Sequence, residues 1–218
     1  MKTAILILAM TMAAAARPAR AEIIDRIAVS VGYQVITVSD LEREIRVTAF
    51  LNRSNPDFSP AGRRKTANRM VEQRLVRREL ELSRYPVPDR SEAIPILQKF
   101  KQENYPQPGE YEKALSAAHL TDAEVRDEIL WQLTLVRFID VRFRPAVHVP
   151  DEEVKEYYEK NVLPAAKLTT PGQVPSIDDY RDSIEETLTQ HKVDEELNTW
   201  MQEARKRTGV EFRDEVFQ

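Results

Sequence analysis

Apolar positions along this 218-residue chain follow two periods, a short alternating stretch near the start and helical spacing over most of the remainder. Ile23, Ile24, Ile27, Val29 and Val31 are β-branched, and after Asp25 they partly alternate with smaller or polar residues, which predicts a strand. Gly32 breaks the pattern and Val35-Ile36-Thr37 restarts it, so residues 23–37 read as a hairpin turning at Gly32-Tyr33-Gln34. Two strands alone are marginal in water, so this hairpin needs a third strand or a helix to lean on.

Helical periodicity then takes over, punctuated by caps and prolines. Ser39 with Glu42 reads as a capping box opening a helix to about Leu51. Ser59-Pro60 opens a second helix to about Arg84, with an apolar stripe at Met70, Val71, Leu75, Val76 and Leu80. A third is expected from Ser91 to about Glu103, with Pro95 in its first turn, and a short fourth after Pro108 through Tyr111 and Leu115. Thr121 and Glu124 form another capping box for a helix to about Phe143. That helix carries two apolar faces, Val125, Ile129, Leu133, Val136 and Ile139 on one and Trp131, Leu135 and Phe138 on the other, which implies two packing partners.

Acidic residues at Asp151, Glu152 and Glu153 favour a helix start after Pro150, continuing through Val154, Tyr157 and Tyr158. Residues 161–175, with Pro164, Pro171, Gly172 and Pro175, read as a linker. Ser176 is expected to cap a long closing helix whose buried side holds Tyr180, Ile184, Leu188, Leu197, Trp200, Met201 and Ala204. Arg205, Lys206 and Arg207 suit its negative end and Gly209 its C-terminal cap. Val210-Glu211-Phe212 then alternates like a short strand, the natural third partner for the hairpin.

Composition narrows the function classes. Lys2, an uncharged run through Ala16 and the small residues Ala19 and Ala21 read as a signal peptide cleaved after Ala21. Its removal takes away Lys2, Arg17 and Arg20 and moves the formal charge from −4 to −7. An acidic mature chain argues against a nucleic-acid binder, which needs a net basic face; the basic run Arg63-Arg64-Lys65 reads as a solvated helix face. The lack of cysteine excludes disulfides, thiol nucleophiles and thiolate metal sites. Hydrophobic residues at 42% suffice for one sizeable core, and only five glycines favour helices over turn-rich β structure.

The order of these elements resembles the SurA-type peptidyl-prolyl isomerase chaperones of the bacterial cell envelope. The likeness is carried by Ile24-Asp25-Arg26-Ile27-Ala28-Val29-Ser30-Val31-Gly32, by Ile36-Thr37-Val38-Ser39-Asp40-Leu41-Glu42 and by Met70-Val71-Glu72-Gln73-Arg74-Leu75-Val76. It continues through the helix from Leu120-Thr121 to Val141, Val149-Pro150-Asp151-Glu152-Glu153-Val154 with Tyr157-Tyr158, Trp200-Met201-Gln202-Glu203-Ala204-Arg205 and Val210-Glu211-Phe212. The resemblance implies a mostly α fold, a multi-helix chaperone core with a small β-hairpin joined by a C-terminal strand. Residues 22–160 would form the N-terminal chaperone domain, and residues 176–218 would return to complete it. In that family a parvulin isomerase domain normally follows the Tyr157-Tyr158 helix, whereas here residues 161–175 stand in its place and are too few to build one.

The residues agree with a binding module better than with an enzyme. His119, His148 and His191 are far apart and show no zinc-ligand spacing, so no metal or other cofactor is expected. The acid pairs Asp151-Glu152 and Asp178-Asp179 sit at helix starts, where the helix dipole accounts for them. The resemblance implies a crevice for unfolded or extended polypeptide clients, including outer-membrane protein precursors, held without ATP in the periplasm. Candidate lining residues are Phe50, Leu51, Phe100, Tyr105, Trp131, Leu135 and Phe138, although taken one by one each reads first as ordinary core. Two alternatives stay open: a dedicated envelope assembly protein using its apolar faces for one partner or for homodimerisation, and a residual peptidyl-prolyl isomerase.

Overall fold

Strand β1 (Ile27–Val31) is the inner strand of a three-stranded antiparallel sheet in a computed structural model that describes residues 25–165 and 176–218. The signal-peptide reading and residues 166–175 of the linker lie outside the described residues. β2 (Gln34–Thr37) pairs with β1 through Val31↔Gln34 and Ser30↔Val35, which makes the turn two residues long. Gln34, expected in the turn, therefore opens β2, while Gly32 takes the first central position at φ +57°, where a side chain is disfavoured. β3 (Val210–Phe212) supplies the third strand the hairpin needs, with Val29↔Phe212 and Val31↔Val210.

Seven α-helices lie whole within the described residues, of which the first two pack on the sheet: α1 (Val38–Leu51), α2 (Pro60–Ser83), α3 (Ala93–Asn104), α4 (Glu110–Ala117), α5 (Asp122–Arg142), α6 (Asp151–Tyr157) and α7 (Arg181–Thr208). The fold is mostly helical with a minor sheet, as expected. Ser59 caps α2 and Thr121 with Glu124 boxes the start of α5, as their spacing predicts.

Elsewhere the starts move. The first capping box is Thr37 with Asp40 rather than Ser39 with Glu42, because the Val38 amide is tied to the Arg26 carbonyl at 2.8 Å and fixes the strand-to-helix turn earlier. Ser39 instead donates its hydroxyl and amide to Asp25. A 3₁₀ turn capped by Asp89 precedes α3, which begins at Ala93 and not Ser91. Ser176 caps a 3₁₀ turn, and α7 starts only after Tyr180, which shifts the helical phase and leaves Tyr180 exposed rather than buried. Residues 161–165 continue the α6 helix through a π turn (Tyr158–Val162) instead of beginning a linker.

The main core gathers Val29, Val31 and Ile36 from the sheet, Leu41 and Ile45 from α1, and the α2 stripe Met70, Val71, Leu75 and Val76. Trp131 and Phe138 of α5 and Val193, Trp200 and Ala204 of α7 close it. Phe138 has its ring 5.7 Å from Phe143 and 5.6 Å from Trp200, with Tyr85 set edge-on at 5.4 Å. Val125 and Ile129 of the same α5 turn the other way, into a satellite cluster with Val47, Phe50, Leu97, Tyr111, Leu115 and Leu120. The two faces of α5 do serve two packing partners, but the division differs from the expected one: Ile139 packs against the main core with Trp131, Leu135 and Phe138, and Val136 projects to solvent.

Candidate functional site

The seam between α2 and α5 is open to solvent over two adjoining clefts. Gln73, Arg74, Arg77, Leu80 and Glu81 recur at helical spacing on one face of α2, and Glu124, Asp127, Glu128, Trp131 and Thr134 do the same on α5. One cleft, of about 550 Å³, lies between Leu80, Leu130, Trp131, Thr134 and the Val87-Pro88 segment that leaves α2. The other, of about 210 Å³, adds Asp40, Arg43, Glu44 and Val47 of α1 and reaches down to Met70. Arg77 and Asp127 line both, so the two clefts form one groove with an apolar end and a charged end.

At the apolar end the Arg77 guanidinium lies 4.1 Å from the centre of the Trp131 ring, stacked on its face. Trp131 is itself 5% exposed, so it forms a rigid wall anchored in the main core, while Val87 opposite is 58% exposed. Proline at positions 86 and 88 ends α2 and holds that segment extended, which keeps the groove's lip off the helix.

Ion pairs organise the charged end. Arg43 bridges Asp40 at 2.6 Å and approaches Glu124 at 3.6 Å. Glu44 accepts from Arg69 at 3.1 Å and from Gln73 at 3.0 Å, and Arg69 also donates to the Thr48 hydroxyl at 2.6 Å. Among the described residues, Glu128 accepts only from Gln132 of its own helix, at 3.2 Å. Burial, together with the charge of Glu44 across the cleft, pushes its carboxyl up to about 7.

Of the seven candidate lining residues read from the sequence, Trp131 alone lines this groove. Phe138 is fully buried behind it, and Leu135 packs against the same core half-buried. Phe50, Leu51, Phe100 and Tyr105 sit in the satellite cluster, where Phe50 stacks on Tyr105 at 5.7 Å and meets Phe100 at 5.9 Å. The seven therefore divide between two clusters rather than lining one crevice. Arg77, Val87, Asp127, Glu128 and Leu130 went unnoticed in the sequence, and Leu80 was read only as part of the α2 stripe, although the repeat of 124, 127, 128, 131 and 134 along α5 marks one helix face.

His119, His148 and His191 are all exposed and lie on separate segments. No group of three metal-ligating side chains occurs among the described residues, and no described helix is long and apolar enough to cross a membrane.

No family model matches the chain. Among curated proteins it is similar to the chaperone SurA of Alkalilimnicola ehrlichii, with 29% identity over 161 residues, 72% of this chain and 37% of that protein. The chain thus corresponds to well under half the length of that relative, and the similarity is a distant one that marks a broad link to a chaperone family.

Proposed function

We propose that the chain is an ATP-independent cell-envelope chaperone that holds extended, unfolded polypeptide along the α2–α5 groove, outer-membrane protein precursors among its clients, without isomerising prolyl bonds. The observation that carries this reading is the groove itself, an open channel of about 550 Å³ beside a core-anchored tryptophan. The distant likeness to a chaperone supports it. Leu80, Val87, Leu130 and Trp131 offer client side chains an apolar wall, and burial there at about 25 cal/mol per Å² drives holding without nucleotide. Arg77 and Asp127, which line both clefts, offer the main chain of an extended segment a donor and an acceptor.

On this reading the protein acts in the periplasm after cleavage past Ala21. Residues 22–160 are the chaperone domain, 176–218 complete it, and a short connection stands where the family carries its isomerase. The exposed, separated histidines offer no preorganised pocket for a prolyl bond. Leu51, Phe100, Tyr105 and Leu135, each partly exposed, would act as secondary contacts, with Phe50 and Phe138 supporting them from beneath.

The test is suppression of aggregation of an unfolded outer-membrane protein, run beside a prolyl-isomerisation assay, for the wild type and for Val87→Glu. Suppression without isomerisation, weakened several-fold by the charge at the groove's lip while the fold is retained, is the expected outcome. Failure of the wild type to suppress aggregation overturns the reading. It would favour a dedicated assembly partner, for which the exposed Val136 on α5 and Ile94 on α3 are the apolar contacts at hand.

A further inference from the structure

We propose that occupation of this groove is coupled to the uptake of one proton by Glu128, whose neutral carboxyl then donates a hydrogen bond to the main chain of the bound segment; the coupling rests on the groove being the client site. Glu128 stands three residues before Trp131 and beside Asp127, the residue common to both clefts, so it lies where the apolar and charged ends meet. Its carboxylate has no ion-pair partner among the described residues, and its one hydrogen bond there is to Gln132.

Apart from Arg74, the groups facing it from each helix are already committed or offset. On α1, Glu44 is 12% exposed and bonded by Arg69 and Gln73, while Asp40 and Arg43 pair with each other. On α2, Arg69 bonds Glu44 and Thr48 and Arg77 lies flat on Trp131, their charges offsetting part of the rise, and Arg74 lines the cleft. On α5 itself, Glu124 leans to Arg43 and Asp127 is exposed. No histidine lines the groove. Burial disfavours the Glu128 anion, and the charge of Glu44 across the cleft adds to that.

A segment laid across the seam removes the water that still reaches this carboxyl. Desolvation without a new cation favours the neutral acid further, and a neutral acid has an O–H to give to a client carbonyl, a contact independent of client sequence. By linkage, affinity is then greatest below neutral pH. It falls by up to about tenfold per pH unit once Glu128 is ionised in the free protein but protonated in the complex.

The experiment is calorimetric titration of the full chain with a capped peptide of alternating phenylalanine and threonine, which has no ionisable group, at pH 5.5 and pH 8 in buffers of different ionisation enthalpy. The expected result is uptake approaching one proton per peptide at pH 8, almost none at pH 5.5, and weaker binding at the higher pH. Glu128→Gln, fixed in the neutral state, should exchange no proton and bind with an affinity independent of pH. Proton release, pH-independent affinity in the wild type, or undiminished uptake in the variant overturns the coupling while leaving the groove as a binding site. Absence of peptide binding at both pH values removes the groove reading and the coupling together.

Discussion

The main core and the satellite cluster share helix α5 but are assembled from very different lengths of chain. The satellite draws on residues 47–129 and is dominated by contacts among α1, α3, α4 and the first half of α5. The main core spans Ala28 to Val216 and joins the first strands to the last helix and strand. Arg205 of α7 reinforces that closure by binding Glu72 at 2.9 Å and the Asn68 carbonyl at 3.3 Å on α2. One region is held by contacts that are nearer in sequence, the other by long-range closure. Local opening is therefore expected of the satellite first, while the groove's tryptophan wall stays with the core.

Three substitutions probe that division. Phe138→Ala removes the most enclosed aromatic ring of the main core and should cost about 4 kcal/mol, lowering the whole cooperative transition in thermal or denaturant unfolding. Phe50→Ala empties the centre of the satellite and should cost about 3 kcal/mol. Its signature is regional: amides of α3 and α4 lose hydrogen-exchange protection while those of β1 and α2 keep theirs. Equal loss in the sheet would show that the two clusters form one cooperative unit. Arg64→Ala tests the outer clasp, where the guanidinium lies 4.0 Å from the Phe212 ring centre and bonds Asp214 at 3.0 Å. The loss should be about 0.5–1 kcal/mol, read as faster exchange of the β3 amides with little change in the satellite.

Much of this architecture is legible in the residues. The caps at Ser59 and Thr121, the α2 stripe and the return of residues 210–212 to the hairpin all follow from local chemistry and strand valence. What escaped has physical reasons. Ser39-x-x-Glu42 and Thr37-x-x-Asp40 are both plausible boxes, and only the long-range bond from Val38 to Arg26 decides between them. Tyr180 fits the helical phase of Ile184 until a 3₁₀ turn intervenes. For the groove, aromatic character was a poor guide, because large rings are where the core most needs volume. Phe50 and Phe138 are accordingly buried, and the channel is walled by Arg77, Glu128 and Val87. The rise at Glu128 comes from burial and then from Glu44, on a different helix far away along the chain, and no spacing rule encodes either.

Strand β1 is flanked by partners from opposite ends of the described chain, β2 immediately after it and β3 at residues 210–212. A ribosome or translocase that delivers the polypeptide from its first residue must emit α1 through α7 before the second edge of β1 can be paired. Until then the amides and carbonyls of Ser30 and its neighbours on that side have only water or a passing chain to bond. The loop to be closed costs only slowly more as it lengthens, so the delay is set by delivery of the chain rather than by the search. A protein proposed to hold unfinished chains thus passes through its own interval with an unfinished sheet.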